Sequence, residues 1–355
     1  MANAVTLADV PLPVRPVLKP ALRQVWRDAF TLQLGLEPRR AVVLSGLLPP
    51  DSRLLDLLDG SRDVPTVFSD AGDLGCPPDR AVRLIELLAA ADALDDAPPA
   101  DPRLTPDLLS LSLLHPGPGA AARVLARRRA ATVAVHGAGR VGAGVVTLLA
   151  AAGVGRLCVD DDGPVRPADL GPVGIREQGA GTRATAVTAP LRRTSAAQSV
   201  STTGAERADL HVVAPVSSLA PPEVLAAVRH RPHLLVTVRE TTASVGPFVV
   251  PGTTPCLRCL HLGRTDRDPQ WPAMTAQLTG ATRAVEACDV VLATIAAALA
   301  TTQVLAAVDV DRGRPATAAS VLEFDLADGR LRRRSVAAHP SCGCGAADDG
   351  ATMEA

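Results

Sequence analysis

Residues 132 to 161 read T-V-A-V-H-G-A-G-R-V-G-A-G-V-V-T-L-L-A-A-A-G-V-G-R-L-C-V-D-D, and no other stretch restricts the fold as tightly. An alternating apolar run from Thr132 to Val135 breaks at Gly137, Gly139 and Gly142, and an Ala/Leu/Val-rich helical segment then runs to Ala152. A second apolar run, Arg156 to Val159, ends on Asp160 and Asp161, the latter 19 residues beyond Gly142. Strand, glycine turn, helix, strand and acid in this order predict a nucleotide-type βαβ unit. In such a unit Gly137 takes the tight turn, Gly139 lets a phosphate approach the backbone, and Gly142 lets the helix pack on the strand. The free N–H groups at the helix start attract an anion, and Asp161 is placed to accept ribose hydroxyls. A glycine turn that only packs a helix on a sheet is the plainer alternative.

The chain of 355 residues is 47% hydrophobic, enough for two or three domains with buried cores. A net charge of −1 argues against nucleic acid as the main partner. Met1 to Pro13 lacks the basic start and apolar core of a signal peptide, so a cytoplasmic location is expected. Val290 to Val308 is uncharged and long enough to span a membrane. It is rich in alanine and interrupted by Thr294, Thr301, Thr302 and Gln303, which favours a helix buried in a soluble domain and no membrane partner.

Residues 1–14 read as a tail and residues 15–95 as a small domain. Short strands are expected at Val17-Leu18, Leu22 to Trp26, Thr31 to Leu36 and Ala41 to Leu44. Helices follow at Asp51 to Leu58, capped by Asp51, at Asp63 to Ala71, and at Pro78 to Leu94. The last should turn Leu84, Leu87, Leu88, Ala91 and Leu94 to the core and leave Val82, Ile85 and Ala89 on a neighbouring face. This order predicts a winged helix-turn-helix of the α+β type, without the basic face that DNA binding needs. Its sheet edge is the better candidate for use, as a place where an extended peptide adds a strand over Val82, Ile85 and Ala89. The segments R-P-V-L-K-P-A-L, T-L-Q-L-G-L, A-V-V-L-S-G-L and L-L-D-L-L-D-G-S resemble the PqqD-like recognition element that binds leader peptides of ribosomally made natural products. The resemblance implies a leader lying along an edge strand and against the last helix.

Residues 96–119 read as a proline-rich linker and 120–345 as the second domain, followed by a tail at 346–355. The run A-A-G-V-G-R-L-C-V-D-D-D-G-P-V-R-P-A-D-L-G resembles the ThiF/MoeB/HesA family, relatives of ubiquitin-activating enzymes that adenylate the C-terminus of a small protein. The resemblance implies a Rossmann-like α/β fold, an ATP and magnesium site, and a homodimer. It also marks departures: Gly163 stands at the family's second acid, Asp169 at its asparagine and Pro172 at its triphosphate arginine. Arg183 is the nearest substitute for the family lysine, and Val216 stands where the magnesium carboxylate is expected. Adenylation needs cations on the departing pyrophosphate, so the site reads as degenerate and ATP as doubtful.

Cys256 and Cys259 in P-C-L-R-C, and Cys342 and Cys344 in S-C-G-C-G, form two close pairs with residues 260 to 341 between them. Two such pairs predict a structural zinc held by four thiolates, and paired cysteines also occur in ThiF-like proteins. His261 and His339 are nearby alternatives, while Cys76 and Cys158 read as core and Cys288 as a weak thiol-acceptor candidate. Trp271, amid Arg264, Asp266, Arg267 and Asp268, has the composition of a protein contact. The run R-T-D-R-D-P-Q-W-P resembles ThiF-like partners of YcaO-type heterocyclases. Three functions follow, in order: an adaptor that binds the leader of a peptide substrate for a YcaO-type cyclodehydratase, an active ATP-dependent adenylyltransferase that activates the C-terminus of a small ubiquitin-like protein through Gly137 to Gly142, Asp161 and Arg183, and a dinucleotide oxidoreductase supported by the glycines alone.

Overall fold

A computed structural model describes residues 11–96, 101–179, 181–279, 286–309 and 314–346. They form two compact units, divided between Ala126 and Arg127.

In the first unit β1 (Pro16–Leu18), β2 (Gln24–Asp28), β3 (Thr31–Leu34) and β4 (Val42–Ser45) precede three helices, α1 (Pro49–Asp56), α2 (Val64–Asp73) and α3 (Pro78–Ala90). The returning strand β5 (Leu94–Asp96) lies antiparallel to β1, while β2, β3 and β4 make a separate antiparallel sheet in that order. Both β2 and β4 are therefore edges. Leu32 and Leu34 of β3 are fully buried because alternate residues share a strand face. Helix α1 starts after Leu48, so Asp51 sits in the first turn rather than at the cap. There it accepts the Leu48 N–H at 2.6 Å and one edge of Arg80, Nη2 and Nε at 2.6 and 2.7 Å, an ion pair with a buried carboxylate and a half-exposed guanidinium that ties α1 to α3.

The core stripe of α3 differs from the expected one. Ala81, Leu84, Ile85 and Leu88 are buried, spaced i, i+3, i+4 and i+7, while Leu87 is 45% exposed. Ile85 is 0% exposed and so packs the core; it cannot meet an added strand. Val82 is exposed and Ala89 half-buried, so the expected trio does not form one binding face. Fixing Ala81 inward rotates the buried stripe by about 60°, a sixth of a turn, from the reading that placed Leu87 inside.

Residues expected as a linker fold onto this unit. Helix α4 (Thr105–Leu114) buries Leu108 and Leu111 against Ala121 and Val124 of α5 (Ala120–Ala130). Lys19, the chain's only lysine, is fully buried, with its ammonium 2.6 Å from Asp92 and donating to the Ser112 carbonyl of α4 at 2.7 Å. A buried ammonium needs both partners, because unpaired it would lose its charge.

The second unit runs β6 (Thr132–His136), α6 (Arg140–Ala151), β7 (Arg156–Asp160), α7 (Arg183–Thr194), β8 (Ser199–Ser201), β9 (Leu210–Val213), α8 (Pro222–Val228), β10 (His233–Arg239) and β11 (Thr242–Val249). Helices α9 (Leu257–Arg267), α10 (Trp271–Thr279) and α11 (Val290–Asp309) and the hairpin β12 (Ser320–Asp325) and β13 (Arg330–Ser335) complete it. Its eight strands lie in the order β13-β12-β11-β10-β9-β6-β7-β8, parallel from β10 to β8 and antiparallel from β10 to β13. Parallel strands here are covered on both faces, so Val133, Val135, Leu157, Val159 and Val212 are all buried. Helix α11 is long and apolar enough to cross a membrane by length and composition. Here Leu292, Ala293, Ala296, Ala297, Ala300 and Val304 pack into the core shared with α6, and a Cβ on Gly144 would come within 2.8 Å of Ala297. Its last residue, Asp309, is buried and clasped by Arg128 at 2.7 and 2.8 Å.

Candidate functional site

The C-terminal ends of β6, β7 and β9 open onto a cleft of about 1030 Å³. Ligands of open α/β sheets settle at this position, beyond the carboxyl ends of the strands. Gly137 leaves β6 with φ +94° and donates its N–H to the Asp160 carbonyl at 2.9 Å. Gly142 is fixed by space: a Cβ there would fall 1.9 Å from the Gly137 carbonyl oxygen, so only glycine lets α6 turn this tightly over the loop. Gly139 begins α6 and faces Val216, whose methyl would lie 3.2 Å from an added Cβ. The three glycines thus meet at one wall of the cleft, as expected from their spacing.

Asp161 also lines the cleft, but its oxygens are engaged. One edge of Arg183 donates from Nε at 2.9 Å and from Nη2 at 2.8 Å, and the Ala138 and Gly163 N–H groups donate at 2.7 and 2.9 Å. The carboxylate and guanidinium side chains are 6% and 11% exposed. Four donors on one buried carboxylate satisfy its acceptor capacity. Gly163 makes this possible, since a Cβ there would lie 2.1 Å from Arg183 Nη2. Arg183 gives a third donor, Nη1, to the Pro164 carbonyl at 3.0 Å and lies 3.7 Å from Asp169. Burial opposes the guanidinium charge, but the Asp161 hydrogen bonds and charge outweigh it and raise the pKa. Sequence reasoning put Asp161 and Arg183 in the same site but assigned them to different parts of a nucleotide; here they hold each other.

Further groups line or support the cleft, Arg140 and the His136–His211 pair without a sequence forecast and Val216 with one. Arg140, the first residue of α6, donates to the Cys288 carbonyl at 2.8 Å, and its buried Nε has no partner among the described residues. His136 lies between Asp160, 2.9 Å from Nδ1, and His211 of β9, 3.0 Å from Nε2, with the two imidazoles stacked. Burial, followed by the neighbouring His136, lowers the His211 pKa from 6.5 to about 4 and keeps it neutral. A histidine inside an otherwise apolar strand was the available signal. Val216 closes the glycine wall, 40% exposed, so an apolar side chain stands at the expected magnesium carboxylate.

The four cysteines converge. Cys256 begins α9 and Cys259 lies on its first turn, while Cys342 and Cys344 follow β13. The four sulfurs lie within 4.8 Å of one another, with Cys256 3.4 Å from Cys342, Cys259 3.5 Å from Cys344, and Cys256 3.9 Å from Cys259. A tetrahedron with metal–sulfur bonds of about 2.3 Å has edges near 3.8 Å, so this donor set fits a zinc ion. Burial pushes the Cys256 and Cys342 thiols up, whereas at Cys344 burial is outweighed by the Ala346 N–H and neighbouring sulfurs, which bring it down to about 7. The His339 N–H points at Cys259 Sγ at 3.4 Å, and its ring binds Asp266 at 2.9 Å, so His339 supports the cluster from outside. His261 instead accepts the Trp271 indole N–H at 3.0 Å. Cys76 and Cys158 are buried core residues, and Cys288 sits half-buried at the cleft.

A second, smaller groove of about 440 Å³ lies in the first unit, between edge strand β4 and α3. Val43, Leu87 and Arg83 line it, with the Asp51–Arg80 ion pair at one end.

No family model matches the sequence, and no curated protein matches it. Solved structures do match its fold. MccB of E. coli with ATP superposes with a TM-score of 0.67 at 15% identity, covering 93% of this chain and 99% of the other. The microcin C7 biosynthetic enzyme MccB in complex with N-formylated MccA gives 0.65 at 16% identity, covering 93% and 99%. The fold is ThiF-like. The heterocyclase TruD also matches, with a TM-score of 0.61 at 16% identity over 94% of this chain and 43% of that one. At these identities the likeness carries the architecture, an α/β unit with a large mixed sheet, and leaves the chemistry to the residues of the cleft.

Proposed function

We propose that this chain is a ThiF-like adaptor of ribosomal peptide modification, which holds a leader peptide on its first unit and presents it to a YcaO-type cyclodehydratase. The observation that carries the reading is the edge of β4 beside an apolar groove: backbone groups without a strand partner among the described residues, next to exposed Val43 and Leu87, suit an extended peptide that adds a strand. In this reading the first unit is the PqqD-like, winged-helix element that the sequence resembles. The similarity to MccB bound to MccA and to the TruD heterocyclase supports a role in peptide processing. The cleft supports an adaptor over an enzyme, because Asp161 is quenched by Arg183 and Val216 offers magnesium no oxygen. Zinc would be structural, its four tetrahedral positions filled by Cys256, Cys259, Cys342 and Cys344.

Fluorescence anisotropy of labelled leader peptides from neighbouring genes, with the full chain, tests the reading. Binding in the micromolar range, about −8 kcal/mol, is expected. Absence of binding by every such peptide would end it.

A second reading, an active adenylyltransferase, draws on the size of the cleft and on the likeness to ATP-bound MccB. In that case opening of the Asp161–Arg183 pair would free the acid for ribose and the arginine for phosphate. Pyrophosphate exchange with the same peptides separates the two readings: background exchange keeps the adaptor, and robust exchange abolished by Asp161→Ala replaces it.

A further inference from the structure

Trp271 opens α10 under two arginines. The Cζ of Arg264 lies 5.1 Å from the ring centroid and that of Arg239 5.9 Å, a double cation–π contact. The indole is fixed in turn by its N–H donated to His261 Nδ1 at 3.0 Å.

Neither guanidinium has a carboxylate within ion-pair distance among the described residues. Of the acids nearby, Glu323 pairs with Arg334, Asp266 with His339, Asp268 caps the Gln270 N–H at 3.0 Å, and the exposed Glu240 acts on Arg239 only from a distance. Both arginines are half-buried. Burial, and then the like charge of Arg239, lower the Arg264 pKa from 12.5 to about 10. Glu323 acts on both charges, and Glu240 on Arg239, from beyond ion-pair distance, so burial of the two cations side by side is compensated only in part, and the aromatic face adds to that.

Helix α10 continues the surface. Trp271, Met274 and Leu278 are spaced i, i+3 and i+7 and so share one face, with Met274 46% and Leu278 44% exposed. An apolar stripe with a twin-arginine head is complementary to a segment that carries apolar residues and a carboxylate. The planar fork of arginine suits a carboxylate in particular.

We propose that Arg239 and Arg264, over Trp271, form a docking site for the carboxylate of an acidic, apolar-spaced segment of a protein partner, with Met274 and Leu278 receiving its apolar side chains. This site belongs to the second unit and does not depend on leader binding at β4 or on nucleotide in the cleft.

The test reads Trp271 fluorescence in the full chain carrying Trp26→Phe, which leaves one tryptophan. The probes are a synthetic peptide of alternating Glu-Glu-Leu units, the same peptide with Gln for Glu, and inorganic phosphate. The Glu peptide should change the emission saturably, the Gln peptide should not, and Arg264→Gln should weaken binding about tenfold or more, as loss of a charge-assisted contact does. Arg264→Lys, which keeps the charge, should recover part of the loss, with far-ultraviolet circular dichroism confirming that each variant is folded. Equal response to the Gln peptide, saturation by phosphate at concentrations that displace the Glu peptide, or no response to the Glu peptide up to millimolar concentration would each overturn the proposal.

Discussion

Asp161 and Arg183 are joined edge to edge at 2.8 and 2.9 Å, in a place where a nucleotide-binding fold keeps an acid open for ribose. Removing one member leaves the other charged and buried. Arg183→Ala should cost about 3–5 kcal/mol of stability, measured by urea unfolding. Gly163→Ala should also destabilise the chain, because the added methyl and the Arg183 guanidinium claim the same space.

The cysteine cluster predicts about one zinc per chain in metal analysis, since one tetrahedral ion uses all four sulfurs. Cys259→Ser should lose it, and chelation should lower the melting temperature. Native protein with four free thiols and no metal would contradict this.

In the first unit, exposure separates binding from folding. Leu87→Asp, at a 45% exposed position on the groove, should abolish peptide binding and leave the unfolding midpoint nearly unchanged. Ile85→Asp buries a carboxylate at a fully buried core position and should unfold the unit, by about 3 kcal/mol or more. Peptide titrations and thermal melts of both variants check the contrast.

His211 gives the stability a pH dependence. Its folded pKa of about 4 lies below the ordinary 6.5, so between those values only the unfolded chain binds the proton. The contribution is present in full above pH 6.5 and is lost as pH falls toward 4, by about 3 kcal/mol over the window. His211→Gln should flatten the slope of unfolding free energy between pH 7 and 5; an unchanged slope would show that other groups set it.

Much of the second unit was legible because its signals are local. The change from period 2 at Thr132 to Val135 to a helical period after Gly142 marks a strand and a helix whatever surrounds them. The cysteine pairs were legible as donors by spacing alone. The face of α3 was not, because Leu84, Leu87 and Leu88 fit two stripes and only packing against the sheet selects the one with Ile85 inside. Pairings across the fold were also hidden. Nothing local says that Arg183 turns back on Asp161, that His136 stacks on His211, or that Arg239 reaches a tryptophan on another element.

The cysteine cluster also has an order in time. Cys256 and Cys259 leave the ribosome first, and α10, α11 and the β12–β13 hairpin are all synthesised before Cys342 and Cys344 exist. The first pair therefore waits as two bare thiols while β12 and β13, the last two strands of the sheet, are laid down. Closing the four sulfurs is a late event that certifies the hairpin is in place, so a chain interrupted after β13 would carry a formed sheet and an open, oxidisable pair.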